Sequence, residues 1–469
     1  MLQYALSRSS VDIPSHLMEP LMLWTFLTFW SYTAFAFDLS QASAAYTLPD
    51  ASARHTQVAP DLLGPGQGCL VVQGRVPDPA RPFDLLGGVW LSCPSVSTTT
   101  AYAAFLGAEW FGATAAVGDL DGDGQLDLAV GDDDAQTGGA VHVFFGPIAP
   151  GVFGPADADA TFLPTPDNTI LGASLAIADD LTGDGVSDLV VGDPGWPVGR
   201  TAPIADGLGA LWVLPGARWA GPIVVDQAPG QVMITGRLNT TFPSSIHAID
   251  DLDLDGLTDL VVSPDCCAFE ALMLGSRTLG TPGDAWAKGT ALRYDAGEAE
   301  LIAFGGASDL DQDGLPDLVF ATPAASVRRG ITGAVVTLTG ASPWAPGAAI
   351  NLATAAGGFT CQRAPCAIEA AYPVGDFNGD GRSELSLVFT GAPPDRFTPP
   401  ERRLGVAILG PRQLLPGLHR PAVAPLASTP GVTPIQILGG DLDSDGAAEL
   451  IVSSITDAAP DDRTFSIFP

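Results

Sequence analysis

Positive charge is scarce in this sequence. Lys and Arg supply only 20 of the 469 residues against 53 Asp and Glu, Lys288 is the single lysine, and the formal charge is -33. A polyanion needs a basic footprint, so nucleic-acid binding is excluded. Charge of either sign is also sparse, at 16% of residues, while 46% are hydrophobic. That is not the composition of an acidic disordered chain, and a large buried core is expected. Catalytic signatures are missing too. The five histidines, His16, His55, His142, His247 and His419, form no HExxH motif, and no GxSxG nucleophile elbow occurs. His142 alternates with apolar residues and His247 precedes an acidic loop, positions that suit packed or surface histidines better than catalysts. The six cysteines lack the CxxC spacing of a zinc or dithiol redox site.

Long apolar runs are equally rare. The one candidate is Leu21 to Phe37, 17 residues ending in Ala34-Phe35-Ala36, with small residues where a signal peptidase reads. Residues 1–36 are read as a signal peptide, with Met18 as an alternative start. No basic residue flanks the apolar core, and a short membrane anchor or a buried strand are the competing readings, since a span needs ~20 residues. After cleavage no membrane span remains, and the chain is expected to be exported, to the periplasm, the cell surface or the medium. The cysteines fall into three local pairs, Cys69 with Cys93, Cys266 with Cys267, and Cys361 with Cys366. An even count in an exported chain favours disulfides. The adjacent pair would need a strained ring, and two free buried thiols are the alternative there.

What the sequence has in abundance is glycine (55), proline (41) and one acidic nonapeptide. Its copies are DLDGDGQLD from Asp119, DLTGDGVSD from Asp180, DLDLDGLTD from Asp251, DLDQDGLPD from Asp309, DFNGDGRSE from Asp376 and DLDSDGAAE from Asp441. Their starts are 61, 71, 58, 67 and 65 residues apart, a unit that suits a four-stranded propeller blade. Each copy opens into a short β-rich run such as LAVGD or LVVGD, and a second run follows, as in GAVHVFFG from Gly139 and ALWVLPG from Ala210. Short strands with Gly and Pro turns indicate an all-β array.

The nonapeptide has the chemistry of a calcium loop. A hard cation takes six to eight oxygens, here from positions one, three, five and nine and from the backbone carbonyl of position seven. The candidate ligands are Asp119, Asp121, Asp123, Gln125 and Asp127; Asp180, Thr182, Asp184, Val186 and Asp188; and Asp251, Asp253, Asp255, Leu257 and Asp259. The later loops offer Asp309, Asp311, Asp313, Leu315 and Asp317; Asp376, Asn378, Asp380, Arg382 and Glu384; and Asp441, Asp443, Asp445, Ala447 and Glu449. Position six is glycine throughout, as a sharp bend in the ligand arc requires. Up to six calcium ions are expected; magnesium, which keeps its waters, fits less well. Asx-rich turns without metal are the alternative. They would have to tolerate unit charges that, 4 Å apart, repel by about 4 kcal/mol at an effective dielectric near 20. An EF-hand would continue into an amphipathic helix, whereas these loops open into β-rich runs.

The arrangement resembles the FG-GAP repeats of the integrin α-subunit N-terminal β-propeller. The residues that carry the resemblance are Phe111-Gly112 before the first loop and Leu171-Gly172 before the second. Gly192-Asp193-Pro194, Ala321-Thr322-Pro323 and Gly391-Ala392-Pro393 stand near the GAP position, and loops four to six lack a well-placed FG. The resemblance implies an all-β propeller over residues 37–469, acting as a calcium-stiffened binding or adhesion module whose protein or glycan partners engage surface loops. Places to look for a partner are Asp193 to Gly209, Asp265 to Phe269, Thr390 to Arg403 and Arg412 to Pro430. A calcium-dependent polysaccharide-acting enzyme and a purely structural surface protein are the alternatives, but no catalytic motif points to the first. Arg328, Arg329, Arg402 and Arg403 could contact an acidic glycan, though solvated loop arginines explain them more simply.

Blade number depends on the ends of the chain. The sixth repeat stops after its third strand, so Ala44 to Leu48 is expected to supply the fourth, as ADATFLP from Ala158 does between the first two loops. Cys69 to Gln73, Gly88 to Cys93 and Thr99 to Leu106 would then make a blade without calcium. That gives seven blades, six with calcium loops and one degenerate; six blades with an N-terminal extension is the alternative.

Overall fold

The computed structural model describes residues 44–48, 55–78, 80–93, 101–134, 138–165, 170–197, 207–238, 240–264, 270–275, 279–295, 299–300, 302–322, 334–338, 344–352, 357–360, 367–376, 381, 383–390, 402–407, 424–425, 432–440, 442, 448–456 and 459–468. The strands among them group into seven sheets. The first holds His55–Ala59, Cys69–Asp78, Arg81–Ser92 and Ala103–Gly107. The second holds Phe111–Gly118, Asp127–Asp132, Ala140–Phe144 and Ala160–Leu163, and the third Ser174–Ala178, Asp188–Asp193, Ala210–Leu214 and Val232–Thr235. The fourth begins Ser245–Ile249, Asp259–Ser263, Glu270–Leu274 and Thr290–Asp295, the fifth is Ala303–Ser308, Asp317–Thr322, Ala334–Leu338 and Gly357–Thr360, and the sixth is Ala367–Pro373, Leu385–Thr390, Arg402–Ala407 and Ala424–Pro425. The seventh follows Val432–Gly440, Glu449–Thr456 and Ala459–Phe468 with Ala44–Leu48 from the other end of the sequence, Ala44 lying opposite Ile467 and Leu48 opposite Arg463.

The runs after the acidic loops lack in-and-out alternation because both faces of a sheet are covered by neighbours. In Asp188–Asp193, Leu189 and Val191 pack toward the second sheet with Val141, Val143 and Phe162, whereas Val190 packs toward the fourth with Leu260 and Val262. Leu128 and Val130 likewise pack with Leu91 and Phe105 of the first sheet, and Ala129 joins the opposite cluster. The core therefore lies between sheets, plugged by the fully buried Phe105, Phe111, Phe162, Phe242 and Phe320. Full burial of each such ring is worth about 1.5–3 kcal/mol. First strands lie side by side: Phe111–Gly118 against Ser174–Ala178, then Ser245–Ile249, Ala303–Ser308, Ala367–Pro373 and Val432–Gly440, which in turn meets His55–Ala59. The result is an all-β, propeller-like architecture.

The first sheet differs from expectation. His55–Ala59 is its first strand, pairing from His55 opposite Gln73 to Ala59 opposite Cys69. The two strands expected at Cys69–Gln73 and Gly88–Cys93 are one longer hairpin, and the strand expected from Thr99 begins at Ala103. HTQVA is half polar and precedes no acidic loop, so nothing in the repeat marks it. Cys69 and Cys93 form a disulfide at the base of this hairpin. The apolar run at Leu21 to Phe37 and the other two cysteine pairs lie outside the described residues. Among the described residues no helix is long and apolar enough to cross a membrane.

A second feature was not expected. In each of the second to fifth sheets, the link between third and fourth strands reaches back and adds a short parallel strand to the preceding sheet. Gly151–Phe153 joins Ala103–Gly107, Gly221–Val224 joins Ala160–Leu163, Gly283–Asp284 joins Val232–Thr235, and Ala349–Asn351 joins Thr290–Asp295. An exposed edge, a template for unwanted pairing, is thereby covered.

Candidate metal centre

Each acidic loop connects the first and second strands of its sheet, and the described loop backbones are shaped by their own carboxylates. The position-one aspartate accepts the position-six glycine N–H: Gly124 to Asp119 at 2.8 Å, Gly256 to Asp251 at 2.6 Å, Gly314 to Asp309 at 3.0 Å and Gly381 to Asp376 at 2.6 Å. The position-five aspartate accepts the position-seven N–H, from Gln125, Val186, Leu257 and Leu315 at 2.8–3.0 Å. These are Asx turns. Left-handed backbone is needed at position six and, unexpectedly, at position four. Gly122 and Gly183 supply it there, but Leu254 and Gln312 adopt the same conformation with φ of 62° and 64°, a strained choice for side chains of that size.

Position nine is different in kind. Asp127, Asp188, Asp259, Asp317 and Glu384 are fully buried. Asp127 Oδ2 accepts the Leu120 N–H and Oδ1 the Gly146 N–H, both at 2.7 Å. Asp188 accepts the N–H groups of Thr182 and Gly216, and Asp259 and Asp317 hold the position-two and position-three N–H groups of their loops. Gly146 and Gly216 end the third-strand runs, and a Cβ there would stand 2.6 Å from the Leu126 carbonyl oxygen or 2.2 Å from that of Ser187. That glycine, visible in the runs VHVFFG and LWVLPG, is a part of the site the motif alone did not reveal. Burial pushes the carboxyls of Asp127 and Asp188 up to about 6 against the opposing pull of these hydrogen bonds, and neighbouring carboxylates add to the rise. Burial also raises Asp311, with the charges of Asp313 and Asp309 contributing.

Three loops gather carboxylates whose oxygens lie within 4.8 Å of one another: Asp119, Asp121 and Asp127; Asp251, Asp253 and Asp255; and Asp309, Asp311 and Asp317. A cation fits these residues by the chemistry of the donors, all hard oxygens, and by the orphaned Oδ1 of Asp309 among them. Oδ1 of Asp180 and Oδ1 of Asp309 are buried with no hydrogen-bond partner, a state that costs about 1–3 kcal/mol or more for a charged group. The second loop is not among the gathered sets. Its Thr182 hydroxyl donates to Asp188 Oδ1 at 3.1 Å, and Asp180 sits at φ 44°. In the fifth loop Asn378, Asp380 and Arg382, and in the sixth Asp441, Asp443, Asp445 and Ala447, lie outside the described residues, while Glu449 opens strand Glu449–Thr456.

Two contacts reach the loops from elsewhere. Arg218, beyond strand Ala210–Leu214 of the third sheet, forms an ion pair with Asp121 and lies 3.7 Å from Asp123. Gln312 Nε2 donates to the Gly381 carbonyl at 2.6 Å, tying the fourth loop to the fifth. Of the expected partner segments, Asp265 to Phe269 and most of Thr390 to Arg403 and of Arg412 to Pro430 lie outside the described residues, and Asp193 to Gly209 is described only at its two ends. Of the arginines considered for an acidic glycan, Arg328 and Arg329 lie outside the described residues, and Arg402 and Arg403 stand in strand Arg402–Ala407 rather than in a loop.

The FG corner also has a physical role. Phe111 and Leu171 are fully buried, and the glycines after them turn left-handed against the preceding sheet. A Cβ on Gly112 would lie 2.7 Å from the Gly88 carbonyl oxygen, and one on Gly172 2.7 Å from that of Ala140. Thr114 Oγ1 donates to the Gly172 carbonyl, and Ser174 Oγ to that of Pro243. The fourth sheet thus uses Phe242-Pro243 at the same corner. At the GAP position, Gly192 O accepts the Gly172 N–H and Asp193 Oδ1 the Ile170 N–H.

These features define a propeller-like protein in which every sheet but the first carries an acidic loop between its first and second strands. Residues 111–144 match the family model of the FG-GAP repeat, so the chain carries an FG-GAP repeat formed by the first three strands of the second sheet and the first acidic loop. No curated protein matches the sequence.

Proposed function

We propose that residues 37–469 form one exported, calcium-stabilised β-propeller of seven blades, closed by the pairing of its two ends, that binds a protein or glycan partner. The observation that carries the calcium reading is the buried, unpartnered Oδ1 of Asp309 beside the carboxylates of Asp311 and Asp317. A hard divalent ion would supply the missing positive partner there and, by the repeat, in the loops of Asp119, Asp180, Asp251, Asp376 and Asp441. Closure is supported by the pairing of Ala44–Leu48 with Ala459–Phe468 and by the contact of Val432–Gly440 with His55–Ala59. Export is supported by the Cys69–Cys93 disulfide, since such bonds persist in oxidising compartments.

Elemental analysis and thermal melts in calcium and in EGTA test this reading. Bound calcium and a melting temperature several degrees lower in EGTA are expected, with Asp309→Ala removing about one ion per chain. A metal-free protein whose melt ignores millimolar calcium would overturn it.

A further inference from the structure

We propose that the outer rim between the second and third sheets holds a site for a neutral saccharide. A cavity of about 400 Å3 opens there, lined in part by Thr165, Trp196, Trp212, Asp226, Gln231 and Met233. Small-ligand pockets run from about 300 to 1,000 Å3. The walls are fixed by the scaffold. Thr165 follows Ala160–Leu163, Asp226 and Gln231 follow Gly221–Val224 lent to the same edge, and Trp212 lies opposite Met233 on paired strands.

The chemistry selects the occupant. Trp212 is only 3% exposed, and its buried Nε1–H has no acceptor. Leaving such a donor unmade costs about 1–3 kcal/mol, so the wall here is a packed indole rather than a polar surface. Trp196, half-buried against the same core cluster, adds a second indole, and Met233 extends the apolar wall. Beside this apolar surface stand the exposed carboxylate of Asp226 and the carboxamide of Gln231, whose Nε2 donates to the Asp226 backbone carbonyl at 3.2 Å. A pyranose ring presents an apolar C–H face to an indole and hydroxyls that both donate and accept. A purely apolar ligand would strip water from Asp226 and Gln231 and give them no partner in return. An anionic sugar would face that carboxylate and a chain of charge -33.

This inference deepens the binding reading above and rests on it, but it does not depend on calcium occupancy. The test is saturation-transfer NMR and fluorescence titration of the full calcium-loaded chain with methyl glucoside, methyl galactoside, methyl mannoside and N-acetylglucosamine. At least one should bind, and Trp196→Ala should weaken it about tenfold, as loss of an aromatic anchor does. Asp226→Asn should weaken it several-fold. Both variants should keep the wild-type melting shift on calcium addition, which separates a lost site from a lost fold. Absence of binding by all four probes, or binding unchanged in both variants, would overturn the proposal while leaving the calcium reading intact. Sugar binding with a calcium-indifferent melt would do the reverse.

Discussion

Asp127→Asn should change sign in its effect on stability with pH when calcium is absent. Asp127 is fully buried, and burial, opposed by the Gly146 and Leu120 N–H groups and aided by Asp121 and Asp119, pushes its carboxyl from 3.8 up to about 6. A carboxyl with a raised native pKa binds its proton more tightly folded than unfolded. Its penalty on the fold is absent below pH 3.8, grows as pH rises, and is complete above about 6. Two units correspond to about 3 kcal/mol, of which about 2 develops between pH 4.5 and 7.5. Asparagine carries no charge but offers an NH2 where an acceptor stood, so the Leu120 or Gly146 N–H loses its partner at a cost of about 1–3 kcal/mol. In EGTA the variant should therefore be clearly less stable than wild type at pH 4.5 and about equal or slightly more stable at pH 7.5. If the loops bind calcium as proposed, the order should reverse again with calcium at pH 7.5, because an ion bound at ~100 µM affinity would contribute about 1.4 kcal/mol at millimolar concentration and the variant would forgo it. Urea unfolding of both proteins at the two pH values, with EGTA or calcium, measures all four differences. A variant equally destabilised at both pH values in EGTA would refute the reasoning, since the mutant-minus-wild-type difference cancels every other titrating group.

His142 supplies an opposite acid response: burial lowers its pKa from 6.5 to about 4, with its ring against Phe111 and Nδ1 3.2 Å from Thr161 Oγ1. Stability should fall as pH drops below about 6.5, losing about 3 kcal/mol by pH 4, and His142→Gln should flatten that limb; an unchanged acid limb in the variant counts against a buried neutral ring. The Cys69–Cys93 bridge spans a separation of 24 residues, so Cys69→Ser with Cys93→Ser should cost about 3 kcal/mol by the chain-entropy estimate. Equal melting with and without the substitutions would show that the bridge does not constrain the unfolded chain.

The repeat was legible because it combines an acidic loop with runs buried on both faces, and each leaves a signal in composition. Leu189-Val190-Val191 reads as a core strand from the sequence alone. So does the role of Ala44–Leu48, because a repeat unit lacking one strand has to find it elsewhere. Other elements leave no signal. Gly151–Phe153 and Gly283–Asp284 are too short for periodicity, and their pairing depends on a neighbour's edge. Left-handed backbone at position four is announced by Gly122 and Gly183 but concealed by Leu254 and Gln312. Phe242-Pro243 stands at the FG corner without the glycine, its carbonyl accepting Ser174 as that of Gly172 accepts Thr114, so the two-letter signature is lost while the hydrogen bond is kept. Arg218 reaches Asp121 from 97 residues away, a contact fixed only once two sheets stand side by side.

The lent edge strands give the molecule a direction. Each sheet from the first to the fourth is finished by its successor in sequence, and the seventh by the first of the described strands. At about 5–20 residues per second, a sheet emerging during synthesis waits several seconds for the segment that caps it. Ala44–Leu48 waits through most of the chain. Unfolding carries the same polarity: melting the third sheet uncovers the edge of the second, while loss of the second removes no cap from the third.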